Sequence, residues 1–169
     1  LQATLNPDFA QVEADPFILN TSKYEVYLPE RRPFFVEGAD IFEFPVSILY
    51  TRRIGQSFFF GAKALGQSRL FDWGALCAHT EPYAEVYYGD TLRYPPQEFG
   101  ALRGVFKLGG SELGFMAAGE ADSLSSQGAL GSDFHLRLGD LRGEAALAAS
   151  VNGGSLGWLG KGELRFESE

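Results

Sequence analysis

No proline follows Pro96, and the 73 residues beyond it hold fifteen of the chain's 21 glycines. Proline removes a ladder donor and is kept out of central strands. A proline-free, glycine-punctuated stretch of this length therefore permits an unbroken antiparallel sheet. All eight prolines fall in the first 96 residues, so the chain divides into a dense irregular part and a regular one.

The regular part alternates with a period of two, the repeat of a strand. In Leu141 to Val151, Leu141, Ala145, Leu147, Ala149 and Val151 share one face with Gly143, and Arg142, Glu144 and Ser150 take the other. Phe134, Leu136 and Leu138 oppose Asp133, His135 and Arg137 in the same way. Trp158, Leu164 and Phe166 oppose Lys161, Glu163 and Arg165, and Leu102, Phe106 and Leu108 oppose Arg103 and Lys107. Ser111 to Glu120 repeats the pattern more weakly, with Leu113, Phe115 and Ala117 against Glu112, Met116 and Glu120.

Gly109-Gly110, Gly139-Asp140 and Asn152-Gly153-Gly154 separate these runs and suit tight hairpin turns. Ala121 to Gly131 is rich in serine and glycine and reads as an exposed loop. Val46 to Ile54, Phe58 to Gly66 and Leu70 to Thr80 read as earlier strands. Glu81 to Gln97, with Tyr83, Tyr87, Tyr88, Tyr94 and three prolines, reads as a long loop enclosing a short strand.

These spacings predict an all-β fold, an antiparallel up-and-down meander. Alanine and glycine crowd the apolar faces, where a soluble sandwich core would favour bulky residues from two sheets. The opposite faces carry charges of both signs, which suits a polar lumen. The preferred architecture is a partial outer-membrane β-barrel, with a soluble sandwich as the alternative. The chain begins at Leu1 and reads as a piece of a larger precursor, whose missing barrel strands would pair with its edges. Alone, such a piece is expected to be poorly soluble in water.

Residues 1–54 read as an irregular charged and aromatic segment with a first strand, packed on the meander of residues 55–169. Pro29-Glu30-Arg31-Arg32-Pro33 is bracketed by prolines and belongs to neither a helix interior nor a central strand. Phe34-Phe35-Val36 should anchor in an apolar pocket, and Asp8 to Glu13 suits one helical turn capped by Asn6. Asp8, Glu13, Asp15, Glu30, Arg31, Arg32, Glu37, Arg52 and Arg53 form the candidate site. Their mixture of signs fits a structural ion-pair network that fixes a plug or rim against the wall. It also fits a ligand site, with arginines for an anion or acids for a sugar or divalent ion.

Composition excludes several classes. With 22 acids, 14 bases and a net charge of -8, the chain offers no basic stripe for nucleic acid. The single cysteine, Cys77, excludes an internal disulfide. Cys77, His79 and Glu81 alternate without zinc-ligand spacing, so no metal or other cofactor is expected. No G-x-S-x-G elbow occurs, and no carboxylate pair stands out for glycoside hydrolysis, so no enzyme is expected. A carboxylate-dependent hydrolase stays open as an alternative. The 14% of aromatic residues suits membrane-interface girdles, or a platform for carbohydrate in a soluble glycan-binding module.

Three ordered motifs carry a resemblance: NPDFAQVEADP at Asn6 to Pro16, ERRPFFVEG at Glu30 to Gly38 and YTRRIG at Tyr50 to Gly55. Together they are similar to the bacterial family DUF5916, and Gly61 to Gly66 (GAKALG) and Leu113 to Gly119 (LGFMAAG) also fit it. Arg31 stands where the family usually has lysine, and Thr51 where it usually has serine. The resemblance implies an outer-membrane β-barrel in the bacterial outer membrane, with lipid as a partner. It also implies an association with carbohydrate, because many members carry an amino-terminal binding module of the family 9 type. The family has no established reaction, so the implied role stays at channel, uptake component or surface scaffold.

Overall fold

The computed structural model describes residues 1–5, 29–51, 54, 58–87 and 90–166. The main element is an eight-stranded sheet in the order β1-β2-β3-β6-β7-β8-β9-β10. Its strands are β1 (Gln2–Leu5), β2 (Phe58–Gln67), β3 (Phe71–Thr80), β6 (Glu98–Leu108), β7 (Ser111–Ala121), β8 (Ser126–Leu138), β9 (Leu141–Asn152) and β10 (Ser155–Phe166). Every pairing is antiparallel, and among the described residues β1 and β10 form open edges. A separate hairpin, β4 (Tyr83–Tyr87) and β5 (Asp90–Tyr94), projects between β3 and β6.

The up-and-down meander expected from the sequence is therefore present, and the sheet is not closed. Gly109 (φ 70°), Gly139 (φ 55°) and the Gly153–Gly154 pair (φ 54° and 84°) make the tight turns, where L-residues pay a steric cost.

Three expectations need correction. Ala121 to Gly131 is not a loop, because β8 begins at Ser126. The turn is confined to Asp122–Ser125, where Asp122 Oδ1 accepts from the backbone N–H groups of Leu124 and Ser125, both at 2.7 Å. Those bonds hold the Asp122 carboxyl below its ordinary range. Val46 to Tyr50 is not a strand: it lies over the sheet's polar face with no strand beside it. Glu81 to Gln97 holds two strands rather than one. In addition, β1 pairs with β2 from Gln2 to Leu5, ahead of the irregular block.

The two faces of the sheet differ as the alternation predicts, but with inverted exposure. On one face Leu102, Leu130, Leu147 and Leu164 are 61–68% exposed, and Trp158 is 84% exposed. On the other face Lys63, Arg103 and Asp133 are 2%, 7% and 2% exposed. Water-soluble folds put leucine inside and charge outside. Among the described residues no second sheet covers the leucine face.

What covers the polar face is the described part of residues 29–54, namely 29–51 and Ile54. Pro33 opens a short helix, α1 (Pro33–Val36), where the missing proline N–H costs nothing. A 3₁₀ turn, Ala39–Phe42, follows Gly38, whose φ of 67° suits glycine. Phe35, Ile54, Leu76, Ala78 and Ala101 form the buried core between segment and sheet, and Phe34, Phe42, Leu49 and Phe99 pack around it. Phe35 is thus the anchor expected of the FFV run, whereas Val36 stays 47% exposed. Two strand glycines make room for this packing. A Cβ on Gly74 would lie 2.9 Å from Ile41 and 2.8 Å from Phe42. A Cβ on Gly131 would lie 2.5 Å from Phe44 and 2.6 Å from Ile48.

Candidate functional site

The site grows from the fastening of the irregular segment to the wall. Arg32 is 5% exposed, and its Nη1 donates to the Ile54 carbonyl at 2.7 Å. Its Nη2 donates to the Thr51 carbonyl and to Glu30 Oε2, both at 2.7 Å, and its Nε to Glu30 Oε1 at 2.9 Å. Thr51 Oγ1 donates to Glu30 Oε2 at 2.8 Å. The Arg32 guanidinium also lies 4.3 Å from the Phe35 ring centroid. Burial alone would raise the Glu30 carboxyl. The hydrogen bonds and charge of Arg32, with the Thr51 hydroxyl, outweigh it and hold the group at about 2.

Lys63 supplies the second fastening. Its ammonium donates to the carbonyls of Phe34 and Glu37 and sits 5.2 Å from the Phe34 ring centroid. These carbonyls lie at the end of α1, where backbone acceptors lack helical partners. Phe34, Phe35 and Glu37 therefore meet Thr51 and Ile54 through Arg32, and Lys63 directly, in one cluster.

Further along the wall, Arg103 on β6 grips Asp133 on β8 with Nη1–Oδ1 at 2.5 Å and Nη2–Oδ2 at 2.9 Å. His135 Nε2 lies 3.4 Å from Asp133 Oδ2, and its Nδ1 lies 3.9 Å from Glu144 Oε2. Lys161 Nζ is 2.6 Å from Glu144 Oε1, so a row of polar contacts runs from β6 to β10. Lys107 Nζ pairs with Asp72 at 2.7 Å.

An open cleft of about 860 Å3 remains between the segment and this wall. Asp40, Glu43, Glu112, His135 and Glu144 line it, a surface rich in carboxylates. A second cleft of about 560 Å3 lies between residues 46–50 and the inner faces of β7 to β10.

Of the candidate residues, the structure joins Glu30 and Arg32 in one network. Arg31 is exposed, and its backbone N–H donates to Glu30 Oε1 at 3.0 Å. Glu37 stands apart from that pair: its side chain accepts from Gln2 on β1 and its carbonyl from Lys63. Asp8, Glu13, Asp15, Arg52 and Arg53, with the expected helical turn at Asp8 to Glu13, lie outside the described residues. Cys77 is exposed on the apolar face, and neighbouring His79 contacts Glu98 at 2.7 Å. The sequence reading missed Lys63 as a fastener and the pairing of Arg103 with Asp133. Arg103 and Asp133 could be placed on a face and Lys63 in a strand, but their partners depend on strand register and on the path of the block.

The family model described as "Domain of unknown function (DUF5916)" matches residues 1–69, which span β1, the irregular block and β2. This supports the resemblance carried by the three motifs. No curated protein and no solved structure matches the chain.

Proposed function

We propose that this chain, whose residues 1–69 match DUF5916, is part of an outer-membrane β-barrel in which the 29–54 segment narrows a polar lumen. One observation carries the reading: the inverted polarity of the sheet. A buried Arg103–Asp133 pair faces the segment, and a continuous apolar surface from Leu102 to Phe166 faces outward. An exposed apolar face of this extent has its lowest free energy against acyl chains. Strand length supports the same reading. From β2 to β10 the seven long strands of the main sheet have 10–13 residues, where a tilted membrane strand needs roughly 9–11.

The clefts beside the segment leave room for small polar solutes, so the role is passage or uptake, with surface scaffolding as the static version. The test is fractionation of the full-length protein. Recovery with outer membranes, and extraction only by detergent, is expected. Recovery in the soluble fraction without detergent would overturn the proposal.

A second reading rests on Tyr83 and Tyr94, whose rings stack at 4.6 Å and 14° on the β4–β5 hairpin. Such a pair is a candidate sugar platform. A glycan array with intact protein and with Tyr94→Ala tests it, and a blank array for the folded protein removes it.

A further inference from the structure

The seven connections of the large sheet are sorted by end. At one end, β2 and β3 are joined by Ser68–Leu70, β6 and β7 by Gly109–Gly110, and β8 and β9 by Gly139–Asp140. At the opposite end, β1 and β2 are joined by residues 6–57, and β3 and β6 by residues 81–97 with the β4–β5 hairpin. The turns Asp122–Ser125 and Gly153–Gly154 lie at that same end. Register places them together, since Leu5 pairs with Phe60, Phe58 with Thr80, Glu98 with Ala121, and Gln127 with Asn152.

The short end is closed by backbone geometry. Ser68 Oγ donates to the Phe71 carbonyl at 2.8 Å and accepts from the Phe71 N–H at 3.0 Å. At the long end, Thr80 and Gln97 clamp the base of the excursion: the Thr80 N–H donates to the Gln97 carbonyl at 3.0 Å. The Gln97 N–H donates to Thr80 Oγ1, also at 3.0 Å. The hairpin beyond this clamp forms its own two-stranded sheet.

Resting on the barrel reading above, we infer that the long end is the outward mouth. The β4–β5 hairpin is then displayed on the cell exterior, and the Ser68, Gly109 and Gly139 turns face the periplasm. Outer-membrane barrels are inserted with short periplasmic turns and long external loops. Here both long connections fall at one end and all three connections at the other have two or three residues. A second consequence follows. β1 ends and β2 begins at the long end, so residues 29–51, which pack on the polar face, belong to a connection that starts and finishes outside. Residues 29–51 are then part of an external connection, and a solute or cell-surface ligand meets them before the periplasm does.

The test uses the full chain in cells with an outer membrane, in a Cys77→Ala background. Thr91→Cys and Ser123→Cys report the long end, and Asp140→Cys and Arg69→Cys the short end. All four positions are exposed. A membrane-impermeant maleimide should label the first two in intact cells and the second two only after the outer membrane is opened. Labelling of the short-end positions in intact cells, or failure of both long-end positions to label there, overturns the orientation. Washing the same membranes with carbonate separates the two ideas, since release of the labelled protein into the supernatant defeats the barrel reading instead.

Discussion

Arg103 on β6 and Asp133 on β8 are not neighbours in the sheet, yet their side chains form a two-pronged ion pair over β7. Gly114 makes this possible: a Cβ there would lie 2.4 Å from Asp133 Oδ1 and 2.5 Å from Arg103 Nη1. The pair is nearly sealed, at 4% and 1% side-chain exposure, and the Phe44 ring centroid lies 5.3 Å from the guanidinium.

Removing one member of such a pair leaves a buried charge without its counterion, at a cost of ~3–5 kcal/mol. Asp133→Ala is therefore expected to lower the urea midpoint of the detergent-folded protein markedly. The double variant Arg103→Leu/Asp133→Leu should recover most of the loss. Equal destabilisation by single and double variants would show that the pairing itself contributes little.

Lys63 holds two carbonyls at the end of α1. Lys63→Met keeps much of the stem but leaves those acceptors without a donor, at about 1–3 kcal/mol for each desolvated group. The expected result is selective loosening of the 29–54 segment. Limited proteolysis should cut it sooner than in the parent protein, while the sheet retains its β-rich circular dichroism. Unchanged cleavage kinetics would rule out the fastening role.

Glu30 gives the network a pH dependence. Its folded-state value of about 2 is depressed from an ordinary 4.5, so its contribution is fully present above about 4.5. That contribution is lost as pH falls from there through about 2. Partial solvent access reduces it to roughly 1–2 kcal/mol. Stability measured between pH 6 and pH 2 should fall in the parent protein and fall less in Glu30→Gln. Parallel curves for the two proteins would assign the acid sensitivity elsewhere.

The outward leucines should be intolerant of charge if lipid covers them. Leu130→Arg on β8 is expected to cost ~2–4 kcal/mol near mid-bilayer and to reduce the amount of protein recovered in membranes. Glu112→Gln on the polar face should leave recovery unchanged. Normal membrane recovery of Leu130→Arg would argue that this face never meets hydrocarbon.

Much of the wall was legible because a period of two survives any error in strand boundaries. Leu147 and Glu144 could be sorted to opposite faces without knowing their neighbours. What was not legible depended on contacts between distant segments. Gly131 looked like loop material because glycine commonly marks turns; its place is set instead by Phe44 and Ile48 pressing on β8. Val46 to Tyr50 alternates like a strand, but Ile48 and Leu49 pack onto the face of the sheet rather than along an edge, so it forms an irregular cover. The ERRPFF motif marked Glu30 and Arg32 as important. Its counterparts, Thr51, Ile54 and Lys63, emerge only when the chain is folded back on itself.

The unshared side of β10 carries a consequence of its own. All twelve residues of this strand are exposed, and among the described residues its peptide groups are bonded to β9 alone. In hydrocarbon each orphaned N–H or C=O costs several kcal/mol, and in water the same row is a ready template for another chain. The seam thus behaves as an adhesive margin: whatever medium receives this sheet must also supply a neighbour to zip along it.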